Sequence, residues 1–474
     1  METKFVDWLN DLKWLPVVEQ QAGVEVELVD GGPGDSYYQK LDLSLTSGNI
    51  EDAVIATAAQ ANVYGGQGAF LDLAPLIEQY APNIQKYLEN DPTYRALVTN
   101  EDGTIYGLLA ERPILSHVTF YRSDMYEAAG ITPGSSLTIE QFTDQLRQLK
   151  DYYGPTIDNY FPLSGRDSFL KFLYAFNAQA GIDESGTIHG RAYDSGDTDA
   201  SSDILAPGFL QMVEWYKTLL EEGLIDPEWL NGTATEDSWQ QKMLTGQASV
   251  GDDFFTRPSW FMQNGGPEND PEYSMVVLPA FEDASGEQLK RDTQVYDLTR
   301  VFAISATSEK AESILKFLDT LYTAEGQTTM NFGVEGESYE VENGEPTYIV
   351  EFEKQGNEPV GTKVWNFLQD RLTFPVPVDN EAYYNWMDPL TKSYAEQYMT
   401  DYVLVQPTLK YSEEQLRQRT ELQATVDPFV LAGITQFIEG DRPLSEWSDF
   451  LDEATDKGYN ELTAIDQAAW DAMN

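Results

Sequence analysis

The residues best suited to chemistry follow predicted strands, and in three of four groups polar hydrogen-bonding side chains lie beside aromatic ones. They are Gln60, Asn62 and Tyr64 in an expected glycine-rich loop after "EDAVIAT", Glu111 and Arg112 after "GTIYGLL", Arg166, Asp167 and Phe169 after "FPLSG", and Asp252, Asp253, Phe254 and Trp260 after "ASV". Ligands in open α/β sheets bind outside the carboxyl ends of strands, so we expect these side chains to contact a ligand. Sugar hydroxyls form directional hydrogen bonds, and sugar C–H faces stack on aromatic rings. The pattern therefore predicts a sugar-binding site without a chemical reaction.

The aromatic members of this set have a second interpretation as core residues. Phe254, Phe255 and Trp260 lie in one short segment. Aromatic side chains are more often packed in a core than in contact with a ligand. The sequence leaves both roles open for each of the three.

Two pairs of carboxylates offer an alternative interpretation as an enzyme. A glycoside hydrolase needs two carboxylates at a defined separation across the sugar bond, and Asp252–Asp253 or Glu335–Glu337 could be nominated. The chain holds 80 acidic residues, so such pairs also arise by chance. We expect a binding protein with no catalytic residue. A secreted glycoside hydrolase and a surface carbohydrate adhesin remain the alternatives.

The chain lacks most of the residues and motifs that usually bind metals or nucleotide cofactors. The chain has no cysteine and only two histidines, which excludes thiolate sites and histidine-rich metal centres. The stretches "GGPGDSYY" and "YGGQG" match neither a dinucleotide-binding turn nor a phosphate-binding loop. Four aspartates lie in the acidic loop "DSGDTDASSD": Asp194, Asp197, Asp199 and Asp203. The loop lacks the glycine and the final glutamate of the EF-hand pattern, so we expect a solvated loop, no metal site and no cofactor.

The charge of the chain is strongly negative. Eighty acidic against 29 basic residues give a formal net charge of −51, which repels nucleic acid. Two interpretations of this charge stay open: solubility at a cell surface, or steering toward neutral or cationic ligands. The sequence contains no run of about 18 apolar residues, so it predicts no membrane-spanning helix. The opening "METKFVDWLN" also lacks the pattern of a signal peptide.

The spacing of apolar residues predicts alternating helices and strands. A helix is expected over "TKFVDWLNDLKWLPVVEQQ", a strand over "GVEVELVD", a helix over "DSYYQKLDLSLTSG" ending at Gly48, and a strand over "EDAVIAT". Thr138 and Gln141 form a predicted capping box at the start of a long helix. The 474 residues predict two or three domains of α/β class.

Six stretches in order along the chain resemble the extracellular family 1 solute-binding proteins, specifically the large lipoprotein type that serves carbohydrate ABC importers. They are "SGNIEDAVIAT", "LDLAPLIEQYAPNI", "DGTIYGL", "TFYRSDMYEAAGI", "FGVEGESYEVENGEPTYI" and "FIEGDRPLSEWSDFLDEATDKGYNEL". The resemblance implies an α/β, two-lobed periplasmic-binding-protein-like (type II) fold. It implies a hinge, an interlobe ligand cleft and extra C-terminal helices.

The resemblance also implies where the lobes divide. Lobe 1 is expected to take residues 1–115 plus about 304–350. Lobe 2 is expected to take 122–297 plus C-terminal helices at about 351–474, with crossings near 115–121 and 298–303. The "FGVEGESYEVENGEPTYI" hairpin would face the ligand cleft, which adds Glu335 and Tyr339 to the expected ligand-binding residues. Its Asn343–Gly344 pair independently predicts a tight hairpin turn.

The resemblance finally implies a function and its partners. We expect the substrate-binding component of an ABC importer of a Gram-positive bacterium, which binds an oligosaccharide and delivers it to the permease transmembrane subunits. A peptide or another small solute is the alternative ligand. The protein is expected to be a monomer on the extracellular face of the membrane, anchored by a lipidated cysteine upstream of this chain.

Overall fold

The computed structural model describes residues 12–32, 34–114, 116–166, 169–179, 181–182, 188–189, 193–194, 201–293, 295–349, 374–385, 387–399 and 402–473. The chain divides into two units. The described residues of Met1–Ile114, Gln294–Gly356 and Val360–Asp388 form the first unit. Those of Leu115–Thr293 and Pro389–Asn474 form the second. Within the described residues, no helix combines the length and the apolar character that a bilayer span requires.

Both units combine helices with short strands. The strands of the described residues are β1 (Ala53–Ala56), β2 (Leu108–Glu111), β3 (His117–Arg122), β4 (Gly181–Ile182), β5 (Ile188–His189), β6 (Tyr193–Asp194), β7 (Ser201–Ser202), β8 (Val250–Phe254), β9 (Met275–Val277), β10 (Arg291–Thr293), β11 (Tyr296–Ile304), β12 (Tyr339–Glu342), β13 (Glu345–Tyr348) and β14 (Val403–Val405). The α-helices of the first unit are Trp14–Ala22, Gly34–Ser47, Ala58–Gly66, Ala74–Tyr80, Pro82–Asn90, Pro92–Val98, Ala311–Leu321, Ala324–Phe332 and Asn380–Asn385. Those of the second are Ser123–Ala128, Ile139–Tyr153, Pro207–Glu221, Pro227–Leu230, Glu236–Thr245, Arg257–Gln263, Gly266–Asn269, Pro389–Tyr398, Glu413–Glu439, Trp447–Asp456 and Tyr459–Met473, with 3₁₀ turns at Leu170–Phe176 and Leu444–Glu446.

The first unit contains a three-stranded sheet with β11 in the middle. Both β1 and β2 run antiparallel to β11, so they run parallel to each other. Ala56 at the end of β1 lies opposite Val301, and Glu111 at the end of β2 lies opposite Tyr296. The carboxyl ends of the two outer strands therefore meet at one edge of the sheet.

The second unit repeats this arrangement with β3 in the middle of the sheet, flanked by β8 and β9. Phe254 at the end of β8 lies opposite His117, where β3 begins. An isolated parallel bridge joins Leu163 to Val250, so the chain leading to Arg166 runs in the direction of β8. The residues after Leu163 and those at the end of β8 consequently share one edge.

The C-terminal helices belong to the core of the second unit. Val430, Ile434 and Phe437 of helix Glu413–Glu439 are fully buried in one apolar cluster together with Phe209 and Trp447. The rings of Phe209 and Trp447 stack at 6.0 Å between centroids. The C-terminal region thus completes the second unit, as the fold class predicted.

Several local signals in the sequence are confirmed. The Thr138–Gln141 capping box closes, with both reciprocal hydrogen bonds formed. Helix Gly34–Ser47 ends before Gly48, which has a φ of 71°. Asn343 and Gly344 have φ values of 55° and 96° and join β12 to β13, because this hairpin turn requires left-handed backbone at both positions.

Two predicted elements are wrong. Residues 24–30 form no strand, although apolar and acidic residues alternate there. Instead, the Val26 amide donates to the Glu19 carboxylate at 2.7 Å. The segment after β1, expected to be a glycine-rich loop, is helix Ala58–Gly66, because Thr57 and Gln60 form a capping box that starts it. The first helix begins at Trp14, and residues 3–11 of its expected span lie outside the described residues.

The boundaries of the units also differ from the expected ones. The crossing expected at 298–303 lies inside β11, and the boundary follows Thr293 instead. Residues 374–388 group with the first unit rather than the second. Two hydrogen bonds to one residue explain this: Asn380 Oδ1 accepts the Ile114 amide at 2.7 Å, and the Tyr384 hydroxyl donates to the Ile114 carbonyl at 2.6 Å.

We predict that Asp319→Ala destabilises the first unit. The buried Asp319 carboxylate accepts the amides of Asn83 and Ile84 at 2.7 and 2.9 Å, at the start of helix Pro82–Asn90. Removing it leaves these donors without their acceptor, at a cost of about 1–3 kcal/mol. Urea unfolding measures the change. The control is Glu312→Ala on the same helix as Asp319, because its exposed pair with Lys316 contributes about 0.5 kcal/mol or less. Equal effects of the two substitutions would contradict the prediction.

Candidate ligand-binding site

Four charged side chains close a ring at the strand-end edge of the second unit. Asp253 accepts two hydrogen bonds from Arg166, at 2.9 and 3.0 Å, and one from Arg257 at 2.8 Å. Glu236 lies 3.1 Å from Arg257 and 3.8 Å from Arg166. Two arginines and two carboxylates therefore alternate. We call Arg166, Asp253, Arg257 and Glu236 the charge ring.

The charge ring passes from the protein interior to the solvent. The side chains of Asp253 and Arg257 are 0% and 5% exposed, that of Arg166 is 14% exposed, and that of Glu236 is 47% exposed. Burial alone would raise the pKa of Asp253, but the positive charges of Arg257, Lys171 and Arg166 outweigh burial and hold it well below the ordinary value. Asp253 is consequently ionised at any physiological pH.

Asp252 points to the opposite face of β8, as expected for neighbours on a strand. Its carboxylate accepts the Thr119 hydroxyl at 2.6 Å and pairs with the Arg291 guanidinium. Asp252 and Asp253 thus face different surroundings, and the low pKa of Asp253 prevents it from donating a proton.

A small cavity lies beside the Asp252 pair. Ser116, His117, Thr119, Tyr174 and Arg291 contribute to its lining. Its volume of about 30 Å³ holds one or two water molecules and is too small for a sugar ring. Burial, followed by the charge of Lys171, lowers the pKa of His117, which therefore remains neutral.

The strand-end edge of the first unit carries the Glu111 and Arg112 side chains. The Tyr87 hydroxyl donates to one Glu111 oxygen, and the Val378 amide donates to the other at 3.1 Å. Burial raises the pKa of Glu111 to about 7, although these hydrogen bonds act in the opposite direction. Arg112 pairs with the buried Asp297 at 2.7 Å.

The residues expected in the loop after β1 lie on helix Ala58–Gly66. Gln60 completes the cap of this helix and donates to Asp42 at 2.8 Å. Asn62 is half-buried, and the half-buried Tyr64 packs against the apolar cluster around β1. Internal contacts thus engage Gln60 and Tyr64, and a ligand-binding role for all three stays a prediction.

The aromatic residues expected to bind a ligand differ in exposure. Phe169 is 5% exposed and packs against Tyr216 in the core. Trp260 is also 5% exposed, with its ring 5.1 Å from that of Phe261. Phe254 is half-buried, and its ring meets that of His117 at 4.4 Å. Packing thus explains Phe169 and Trp260 without a ligand, and Phe254 has more accessible surface.

The remaining expected site residues are described in part. In the first unit, Glu335 is exposed, whereas Tyr339 is 7% exposed and packs against Phe332. Asp167 lies outside the described residues. Of the four aspartates in the acidic loop, only Asp203 has a described side chain, and it accepts the Tyr459 hydroxyl at 3.0 Å. The described residues contain no group of three metal-ligating side chains.

Sequence reasoning missed two members of the charge ring and several of its neighbours. Arg257 follows Asp253 by four residues, and that spacing was the one available signal for it. Glu236 lies 17 positions before Asp253, and Arg291 pairs with Asp252 across 39 positions. Lys171 lies 3.1 Å from His117 across 54 positions. No local pattern identifies partners at such separations.

Comparison with known proteins identifies the family. The sequence model of the family of bacterial extracellular solute-binding proteins matches residues 17–332, about two thirds of the chain. This chain belongs to that family. The fructooligosaccharide ABC transporter substrate-binding protein FusA of Streptococcus pneumoniae is 23% identical over 98% of this chain and 87% of its own. The lipoprotein LipO of Bacillus subtilis is 23% identical over 70% of this chain and 64% of its own.

Solved structures share the fold of this solute-binding protein. FusA in complex with kestose has a TM-score of 0.73 at 20% identity, covering 98% of this chain and 96% of that one. An HMO-binding solute-binding protein of Bifidobacterium longum infantis has a TM-score of 0.73 at 16% identity, with 98% and 95% covered. The alginate-binding protein AlgQ2 has a TM-score of 0.69 at 17% identity, with 98% and 94% covered. The two-domain fold class is thereby confirmed.

We predict that Glu111 makes the stability of this solute-binding protein depend on pH. The pKa of Glu111 is about 7 in the folded chain, against an ordinary value of 4.5, so the folded state binds more protons between these values. The free energy of unfolding should therefore fall as the pH rises through this window. Urea midpoints between pH 4 and 8 measure the slope. Glu111→Gln should flatten it, whereas the exposed control Glu78→Gln should not. An unchanged slope in Glu111→Gln would refute this assignment.

We also predict that Trp260→Ala destabilises the second unit. Truncating a buried tryptophan costs about 3–5 kcal/mol, and Trp260 packs both on Phe261 and beneath the Arg257 guanidinium. Tyr152→Ala is the control, because Tyr152 is 52% exposed and its loss should change stability little. If Trp260→Ala unfolded at the wild-type urea concentration, the ring would have no structural role.

Proposed function

We propose that this protein is the substrate-binding component of an ABC importer that captures an oligosaccharide and delivers it to a membrane permease. The observation that carries the proposal is the similarity to FusA, because it extends over 98% of the chain and so spans both units. FusA is described as a fructooligosaccharide-binding transporter component. The HMO-binding and alginate-binding proteins that share the fold are also carbohydrate binders by their descriptions.

The chemistry of the two strand-end edges supports this proposal. Carboxylate and guanidinium groups lie near aromatic rings in each unit, and the first unit adds the amides of Gln60 and Asn62. A sugar needs both polar and aromatic contacts. We propose that the ligand contacts come from these edges. On the first unit they include Gln60, Asn62, Tyr64, Glu111 and Arg112. On the second they include Arg166, Asp253 and Phe254.

We further propose that the protein works as a lipid-anchored monomer outside the membrane and docks on the permease transmembrane subunits. The family is described as extracellular, and LipO is described as a lipoprotein. Binding without hydrolysis is part of the same proposal. The opposite orientations of Asp252 and Asp253, and the low pKa of the latter, support it.

A thermal-shift screen of the purified protein tests the proposal. The panel contains neutral oligosaccharides, including fructo-oligosaccharides, acidic uronate oligosaccharides, and peptides of similar size. A ligand at about one hundred times its Kd adds roughly 2.7 kcal/mol to the free energy of unfolding, which raises the melting temperature measurably. Each sugar mixture is analysed afterwards for cleavage. We expect a rise in melting temperature with at least one oligosaccharide, which is recovered intact.

Three other outcomes would each overturn the proposal. Cleaved sugar would identify a hydrolase. Stabilisation by peptides alone would identify a different ligand class. The absence of any shift across the panel would favour an adhesive role over transport.

A further inference from the structure

The arginines at both strand-end edges already pair with carboxylates of the protein itself. In the first unit, Arg112 is paired with Asp297. In the second, Arg166 and Arg257 share Asp253 and Glu236 in the charge ring, and Arg291 is paired with Asp252. The two arginines and two carboxylates of the charge ring carry no net charge together.

An acidic sugar places a different demand on such a site. A uronate carboxylate is recognised best by an arginine that presents its planar N–H groups to it. Asp253 accepts from Nε and Nη2 of Arg166 and from Nε of Arg257, and Glu236 lies 3.1 Å from Nη2 of Arg257. The remaining Nη1 of Arg257 is buried away from the solvent. An incoming carboxylate would have to displace an internal one, or be desolvated beside it without a cation of its own. Both cost free energy that an uncharged hydroxyl does not cost.

We propose that this protein selects uncharged oligosaccharides over acidic ones and that Asp253 and Glu236 set this selectivity by neutralising Arg166 and Arg257. The inference rests on the proposed function and adds the charge class of the ligand. It assigns the two carboxylates a role in specificity. Asp253 is the buried carboxylate of the charge ring, and Glu236 is its solvent-exposed carboxylate.

Substitution of the exposed Glu236 tests the proposal better than substitution of the buried Asp253. Asp253 is fully buried between two guanidinium groups, so its replacement endangers folding. Glu236 is 47% exposed, and Glu236→Gln keeps the size of the side chain while removing its charge. The substitution leaves Arg166 and Arg257 without the charge of their second carboxylate.

The measurement is calorimetric titration with neutral and uronate oligosaccharides of equal length. The ratio of the Kd for the acidic sugar to the Kd for the neutral sugar describes the selectivity. We expect the wild-type protein to bind the neutral sugar more tightly. Glu236→Gln should lower the ratio by about three- to ten-fold, the range of one partly screened charge.

Glu222→Gln is the matched control, because Glu222 is also an exposed carboxylate that pairs with an arginine, Arg147, at 2.6 Å. It removes the same charge from the chain at a place outside the charge ring. Its ratio should equal that of the wild type.

The outcomes separate this inference from the function on which it rests. Binding of the uronate sugar at least as tight as binding of the neutral one would overturn the selectivity while leaving a sugar-binding protein. An equal ratio in Glu236→Gln and Glu222→Gln would overturn the role of the charge ring. Failure of every sugar to bind would overturn the proposed function, and this inference with it.

Discussion

A buried carboxylate must be stabilised by cations or by hydrogen-bond donors where it lies, and Asp253 meets this constraint with two arginines. It is fully buried and holds two guanidinium groups at 2.8–3.0 Å. Removing one partner from such an arrangement leaves an uncompensated charge in the interior, so Arg166, Arg257 and Asp253 must keep their positions together. The end of β8, the start of helix Arg257–Gln263 and the chain after Leu163 are joined at this point. The geometry of the strand-end edge in the second unit depends on it.

Basic residues are scarce in this chain, and several of them are buried in ion pairs. The chain has 29 basic and 80 acidic residues, yet several of its arginines are buried inside the second unit. Arg122, Arg257 and Arg291 are each less than 10% exposed, and each pairs with an aspartate. Most acidic side chains instead face the solvent, where hydration stabilises them without a partner. The negative net charge is therefore largely a property of the surface.

What the sequence predicted follows from the range of the interactions involved. The capping box at Thr138 and the hairpin turn at Asn343–Gly344 depend on residues within four positions of each other, and both were predictable. Residues 24–30 alternate as a strand does, but a strand also needs a neighbour to pair with. The positions of Glu111 and Asp253 near the ends of β2 and β8 were predictable as well. Their partners were not, because Arg166 meets Asp253 across 87 positions and Arg112 meets Asp297 across 185.

The distinction between total and local charge decides how ligand selectivity can arise. A net charge of −51 repels an acidic sugar at long range, but at physiological ionic strength that repulsion is screened beyond about 8 Å. The ion pairs within the charge ring act at contact distance and are partly buried. Salt therefore weakens them much less than it weakens the long-range repulsion from the net charge. Selectivity from the surface charge would disappear as salt is added, whereas selectivity from occupied arginines would persist. The physical origin of a preference for uncharged sugars therefore lies in what Asp253 and Glu236 already bind, and the surface charge adds mainly solubility and a weak effect on association.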